Sequence, residues 1–353
     1  MALQPNQLDD FVKNTLPYFH KNRWKDISLD LQDYIFASRT FEGGKIPVRG
    51  GQYLQEQIQV RNTGTFEHTG LYGVADAKVV DHIKTSTMDW SMNRVHWIYD
   101  IYEDDFQSGA ETILRTIQVR QHSMQNDYME GMEQALWSAP TGPTQDPKVP
   151  AGIPYWVVKS ATKPFGFNGG NPDGFTSTGA GGLNSDTYPN WKNGTFAYDA
   201  LSQDDALSKW AEACHKCYFK APHSYAELDG GKPRYVFYTT YPVLEALHKL
   251  MTASNDNLGN DVGKYRSQAL FKGIPVTWVP ALTNSSSGVV DNTNPIYGID
   301  WSKLKYFYKQ GADRKLHAPI TPESQPSVRK VYMDSWGNFI CTDRRALFVG
   351  RSS

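Results

Sequence analysis

The feature that most constrains the fold of this chain is a stripe of apolar residues with helical spacing between residues 103 and 138. Apolar side chains recur there every three or four residues, and no proline occurs before Pro140. Three acidic residues, 103–105, fall in the first turn, where the helix dipole favours negative charge. The apolar positions are Phe106, Ala110, Ile113, Leu114, Ile117, Met124, Tyr128, Met132, Ala135 and Leu136. About 35 residues at 1.5 Å each form a long rod, so the spacing predicts a spine helix over 103–138.

A long β-hairpin is predicted immediately before this helix, over 46–102. The run QYLQEQIQVR alternates apolar and polar residues and leads into the glycine-rich stretch NTGTFEHTGLYG. The chain then returns through β-branched and aromatic residues up to 102. Polar side chains on both faces of 55–63 indicate that the hairpin has no core of its own. We therefore expect it to be stable only when it lies on a neighbour.

The remaining segments mix predicted helices and strands, so the chain as a whole is predicted to belong to the α+β class. Residues 1–45 are predicted to form an extended arm with short helices. Residues 138–200 are loop-rich with interleaved aromatic side chains, which favour ordered packing, with a stacking surface for sugars or bases as the alternative. Residues 201–320 are predicted as α/β, with helices at 204–219 and 242–254 and strands at 234–239, 275–280 and 295–299. Finally, 327–349 is predicted as two strands joined by a turn at SWGN.

Composition and charge exclude several classes of protein. Lys and Arg total 36 and Asp and Glu total 37, giving a formal net charge of -1. A dedicated nucleic-acid binder normally carries a basic excess, so this balance argues against one. The sequence predicts neither a signal peptide nor a transmembrane helix. Three cysteines are too few for a disulfide framework and indicate a reducing cytosol.

The sequence motifs that could indicate a catalytic, metal-binding or cofactor-binding site have low specificity. Cys214 and Cys217 form a CxxC pair without a second ligand pair, so we expect both to face the core and predict no metal and no cofactor. The glycine-rich stretches lack the setting of a nucleotide loop, and no catalytic residues can be assigned. Arg344, Arg345 and Arg351 are predicted to lie at a solvated strand end, with contact to a partner subunit or nucleic acid as the alternative.

Several local sequences, in this order, resemble major capsid proteins of tailed bacteriophages with the Hong Kong 97-type fold. GIPYWVV, GGLNSDTYPNWKN and the helix starting at DALSKW resemble the passage through the peripheral domain. FKGIPVTWVPAL and NPIYGIDWSKLKYF resemble the end of the axial domain, and VRKVYMDSWGNFICTDRRALFVG resembles the closing strands. The resemblance implies an N-terminal arm at 1–45, an extended loop at 46–102, a peripheral domain at 103–200, an axial domain at 201–320 and return strands at 321–353.

The resemblance also implies how the chain functions. The protein is expected to assemble with itself into hexamers and pentamers of an icosahedral virion shell, built in the cytoplasm of the host bacterium and not on a membrane. Expected partners are a portal protein, a separate scaffolding protein, cement proteins and, by weak non-specific contact, the packaged double-stranded DNA. Arg61, Phe66 and Tyr72 are the predicted assembly contacts, while Lys78 is a poor candidate for a covalent cross-link, so none is expected. The alternatives are an encapsulin-type compartment and, in a different class, a carbohydrate-active enzyme or lectin.

Overall fold

A computed structural model describes residues 34–39, 44–62, 64, 66–71, 81–102, 110–220, 228–229, 232–253, 269–282 and 293–353. Its α-helices are α1 (Ile35–Arg39), α2 (Ala110–Leu136), α3 (Ile153–Trp156), α4 (Ser208–Lys216) and α5 (Tyr241–Ala253). Its strands are β1 (Lys45–Val48), β2 (Leu54–Gln59), β3 (Ile83–Met88), β4 (Ser91–Asp100), β5 (Gly166–Gly169), β6 (Asn193–Tyr198), β7 (Leu228–Asp229), β8 (Lys232–Pro233), β9 (Tyr235–Thr239), β10 (Ala269–Phe271), β11 (Ile274–Trp278), β12 (Ile296–Asp300), β13 (Leu304–Lys309), β14 (Lys315–Leu316), β15 (Val328–Cys341) and β16 (Phe348–Ser352). The α+β class predicted from the sequence is confirmed.

The long helix α2 covers 110–136 of the range predicted from the stripe, and residues 103–109 lie outside the described chain. Met124, Tyr128, Met132 and Leu136 are buried and recur every four residues, so one face of α2 lies in the main core. At 1.5 Å per residue the helix is roughly 40 Å long. Its identification as a spine stays a prediction.

A seven-stranded sheet forms the centre of the α/β part, in the order β10-β11-β9-β12-β16-β6-β5. Its two faces pack into different cores because successive strand residues point to opposite sides. In β9, Phe237 joins a core shared with α4 and α5, whereas Val236 and Tyr238 join the main core that contains α2. The predicted helix 204–219 is a π-helical turn at Gln203–Leu207 followed by α4.

A five-stranded sheet lies beside the long helix. Its order is β1-β13-β15-β14, and β4 pairs with the other edge of β15. One face of this sheet carries Tyr306, Met333 and Phe339 into the main core. The predicted segment boundaries stay predictions, but the pairing shows that β4, from the predicted loop, and β15, from the predicted return, share one sheet.

The predicted turn at SWGN is wrong. Residues 328–341 form one continuous strand, and SWGN lies inside it, paired with β4 on one side and with β13 at Gly337 and Asn338. A side chain at Gly337 would lie 2.3 Å from the Tyr306 hydroxyl, so the glycine permits close strand packing there. The strand ends only at Cys341, and a short 3-10 helix at Arg344–Ala346 then leads into β16.

Candidate assembly surface

A hairpin is present inside the predicted range 46–102, but it is shorter than predicted, because 91–100 pairs with β15 instead. The base of this hairpin is held by its own chain. Strands β2 and β3 pair antiparallel from Leu54–Met88 to Gln59–Ile83. Leu54 is buried in a small cluster with Phe307 and Ile340 of the five-stranded sheet. We expected the hairpin to be stable only when it lies on a neighbouring subunit. That expectation is wrong for the base, because the base already packs against apolar residues of its own chain.

A loop from the aromatic-rich region also contacts the hairpin. The Gly181 carbonyl accepts hydrogen bonds from the Thr87 backbone N–H at 2.9 Å and from the Ser86 hydroxyl at 3.1 Å. Gly181 has a φ of +62°, and an added Cβ would lie 2.2 Å from the Ser86 hydroxyl oxygen. Only glycine combines this backbone conformation with so close an approach.

The hairpin tip has a different environment from the base. Phe66 is 86% exposed, and within the described chain its ring contacts His68 with centroids 5.1 Å apart. Leu71 is 93% exposed and was missed in the sequence, although its position between glycines in TGLYG was a signal for an exposed apolar tip. Tyr72 and Lys78 lie outside the described residues. An exposed apolar tip on an anchored base is suited to contact with another molecule.

Arg61 lies where the hairpin leaves the body of the chain. Its guanidinium carbon is 5.9 Å from the centre of the Tyr188 ring, within cation–π range. Asp81, which precedes β3, is hydrogen-bonded to Lys84, and this bond lowers the pKa of Asp81, with a smaller contribution from the charge of Arg61. The structure thus places Arg61 beside contacts of its own chain.

A second exposed surface, here called the open sheet face, lies on the side of β4 and β15 away from α2. Arg94 donates to both oxygens of Asp334, at 2.7 and 3.3 Å, and lies 5.0 Å from the Tyr332 ring. The His317 ring stacks on the same tyrosine with centroids 4.3 Å apart. Exposed Ile98 lies opposite Lys330, beside Ile320. The face therefore combines aromatic, cationic and apolar groups.

The aromatic residues of the loop-rich region form ordered packing, as predicted. Trp156 packs edge-on against Tyr155 and Trp191, and the Tyr155 ring packs in the same way against Phe175. All four rings are buried in the main core. Because their faces are covered, they cannot serve as the stacking surface for sugars or bases that was the alternative reading.

The two CxxC cysteines face a core. Cys214 and Cys217 are buried with α4, and burial raises the pKa of each thiol to about 12. A thiol with such a pKa is protonated at neutral pH, whereas metal binding and redox exchange use the thiolate. Among the described residues, no group of three or more His, Cys, Asp or Glu side chains is arranged to hold a metal ion.

The prediction of a solvated strand end is wrong for Arg344. This side chain is fully buried and donates to the carbonyl oxygens of Trp156, at 2.7 Å, and Gly170, at 2.9 Å. Burial lowers its pKa to about 10, so it still carries a charge at neutral pH. Arg345 is exposed and donates to the Asn190 side chain at 3.2 Å. Arg344 thus joins loop segments within the chain.

In the described helices no stretch is long and apolar enough to cross a membrane. No model of a known protein family and no curated protein sequence matches the chain. Solved structures match it along almost its whole length. It is similar to a chain of the cyanophage A-1(L) capsid, at 13% identity and a TM-score of 0.64, covering 94% of this chain and 96% of that one.

Two further capsids show the same likeness. The chain is similar to the capsid of a native GTA particle at 12% identity and a TM-score of 0.56, with 96% of each chain covered. It is similar to the mature capsid of bacteriophage PhiM1 at 11% identity and a TM-score of 0.51, covering 96% of this chain and 92% of that one. The chain therefore has the fold of these phage capsid chains.

Proposed function

We propose that this chain is the major capsid protein of a tailed bacteriophage and builds the shell around its double-stranded DNA. The observation that carries the proposal is a likeness to capsid chains that extends over 94% of this chain and 96% of the cyanophage chain. A likeness this complete leaves little room for a separate catalytic unit, so the role is structural and not enzymatic. The protein acts in the virion, after assembly in the cytoplasm of the host bacterium.

Assembly into hexamers and pentamers uses the hairpin tip. Phe66 and Leu71 expose apolar surface beyond a base that the chain itself holds, and the contact of the Phe66 ring with His68 lies within the tip. Tyr72, next to Leu71 in the sequence, belongs to the same proposed contact. Buried aromatic anchors in an interface contribute about 2 kcal/mol or more each. Arg61, whose guanidinium lies over the Tyr188 ring of its own chain, is proposed to bond across the same contact.

We propose that the hairpin tip of a neighbouring subunit binds to the open sheet face. Its exposed Ile98 and Ile320 suit apolar side chains such as Phe66 and Leu71. Arg94 on this face is already paired with Asp334, so the proposed contact rests on the apolar side chains.

Other partners follow from the role of a shell. A portal protein, a separate scaffolding protein and cement proteins are proposed to bind it. The packaged DNA contacts it only weakly and without sequence preference, because a net charge of -1 offers little attraction for phosphate. Binding to two unrelated duplexes at low and physiological salt should therefore be weak and salt-sensitive.

The proposed function is tested by measuring the size of the assemblies that the purified protein forms. The chain, expressed alone and together with a scaffolding protein, is separated by size-exclusion chromatography and imaged by negative stain. We expect closed icosahedral particles or their hexameric and pentameric units. A small soluble oligomer as the product under both conditions would contradict the proposal and would favour an enzyme or lectin.

A further inference from the structure

A groove, here called the α2 groove, runs along the long helix between α2 and β14. Its volume is about 540 Å³. Methionine and leucine side chains supply apolar lining, and glutamine side chains of α2 line it as well. These residues are Met124, Met129, Leu316 and Met333, with Gln121 and Gln125. Leu316 is 50% exposed although it shares the groove with three methionines, whose flexible side chains adapt to what packs on them.

The polar groups of the α2 groove suit an extended segment of chain. Each glutamine amide can both donate and accept a hydrogen bond. The backbone of Leu316 adds two more groups, because the His317 N–H donates to the Tyr332 carbonyl at 2.9 Å and residues of an antiparallel strand bond to their partner strand in alternation. The N–H and C=O of Leu316 therefore point away from β15. An extended segment needs such partners for its backbone, whereas a helix satisfies most of its backbone internally.

The described chain begins at Tyr34, beside this groove. The Tyr34 hydroxyl donates to Glu130 of α2 at 3.4 Å, and the Phe36 N–H donates to Glu133 at 2.7 Å. The two contacts follow the same order in both segments, so the chain from Tyr34 onward runs toward the carboxyl end of α2. Traced backwards from Tyr34, it is directed toward the earlier turns of α2, where Met129 lines the groove.

The sequence that directly precedes Tyr34 matches the α2 groove in pattern and in length. Apolar and polar residues alternate there, a pattern typical of an extended segment with one apolar side. The apolar residues are Ile27, Leu29 and Leu31. At about 3.3 Å per extended residue, Leu31 can reach about 10 Å from Tyr34. Met124 precedes Glu130 by about 9 Å along α2, at 1.5 Å per residue. Leu29, two residues further, then reaches the far end of the groove.

We propose that the α2 groove binds residues 29–31 of the same chain, as an extended segment whose two leucines pack on the methionines. The segment fastens the N-terminal arm to its own subunit, independently of any contact between subunits. Burial of one leucine side chain corresponds to at least about tenfold in the docking equilibrium. A charged residue in place of Leu31 should therefore release the segment and leave Leu316 uncovered. The inference goes beyond the proposed function, because it concerns the unassembled chain.

The first test is hydroxyl-radical footprinting of the full-length, unassembled chain, read by mass spectrometry. Leu270, 42% exposed and outside the groove, is the internal reference for Leu316. In the natural chain we expect Leu316 to be labelled more slowly than Leu270, because residues 29–31 cover it. Leu31→Asp should raise the labelling of Leu316 at least to that of Leu270. Gln32→Asp adds the same charge on the polar side of the segment and, as the matched control, should keep the protection.

The second test identifies the chain that fills the groove. A photo-reactive p-benzoylphenylalanine replaces either Gln125, which lines the groove, or Asp127, two residues away and therefore on the opposite side of α2. Light and isotope-heavy subunits are mixed in equal amounts, and each cross-linked residue is assigned by fragmentation. From position 125 we expect cross-links to 29–31 within one chain. From position 127 we expect none to that segment.

Three results would overturn the proposal. One is labelling of Leu316 in the natural chain that is as fast as that of Leu270. Another is an equal rise of Leu316 labelling in Leu31→Asp and Gln32→Asp. The third is a set of cross-links from position 125 that omits 29–31, or that joins light to heavy chains only and so assigns the groove to a second copy. If Leu31→Asp does not fold, the natural chain and the cross-links still decide. Failure to form particles leaves these measurements on unassembled chains unaffected, so the two proposals fail separately.

Discussion

Replacing Gly181 by alanine tests how the hairpin base is held. Its φ of +62° is a conformation that costs an L-residue about 1 kcal/mol. The new Cβ would also lie 2.2 Å from the Ser86 hydroxyl oxygen and 3.0 Å from the Trp156 ring. Relief of this contact moves the loop away from β3 and breaks the bonds to Ser86 and Thr87, each contributing about 1 kcal/mol. The total loss in the free energy of unfolding is roughly 3 kcal/mol.

Gly64→Ala is the matched control for Gly181→Ala. Gly64 has a nearly equal φ of +65°, and nothing lies within 4 Å of the position of an added Cβ. It should lose only the conformational cost of about 1 kcal/mol. Urea unfolding of unassembled subunits measures both variants, and hydrogen exchange of 83–88 should rise in Gly181→Ala alone. Equal losses in the two variants would refute the reasoning, because the contact with Ser86 would then contribute nothing.

Three further outcomes are expected. The double change Phe66→Ala and Leu71→Ala should lower particle yield and leave the subunit folded, whereas Ile83→Ala, 58% exposed on the anchored part of the hairpin, should leave yield unchanged; equal yields from both would count against the tip. The thiols of Cys214 and Cys217 should resist alkylation at pH 8 until the chain is unfolded, because burial keeps them protonated; rapid labelling of the native chain would contradict their placement. Particles boiled in detergent should run as one band near 39.8 kDa, and a ladder of multimers would show that subunits are cross-linked.

Regular periodicity made the main elements predictable from the sequence. The four-residue recurrence of Met124, Tyr128 and Met132 predicts α2 because one helix face must be buried. Alternation around Leu54 and Ile58 predicts β2, and the glycines at the tip predict the reversal before β3. In each case a single local pattern contains the information, so no knowledge of distant partners is needed.

Elements that depend on distant partners could not be predicted in this way. SWGN has the composition of a turn, yet Ser335 accepts a hydrogen bond from the Tyr128 hydroxyl at 3.0 Å, and Asn338 accepts one from the Ala151 N–H at 2.8 Å. These partners satisfy polar groups that would otherwise favour a solvated turn. An arginine such as Arg344 is ordinarily expected at the surface. It is buried here because carbonyl groups far away in the sequence accept its hydrogen bonds.

The candidate contact surface was predictable only in part. Phe66 was identified because an aromatic residue in a glycine-rich tip has no local core to join. Leu71 was not identified, since a single leucine is a common residue in any loop. The anchoring of the hairpin base on Gly181 and Phe307 was not foreseen, because neither lies near the hairpin in the sequence.

The most direct test of the central claim is the cryo-electron microscopy map of the particle formed by the full-length chain. The account predicts an icosahedral shell in which each hairpin base rests on its own subunit, at Gly181, and each tip crosses to a neighbour. Density for Phe66 and Leu71 should lie against another subunit, with Arg94 of that subunit's open sheet face nearby. A closed shell with tips in solvent would contradict the assembly contact, and the absence of any closed shell would contradict the claim that the protein is a capsid subunit.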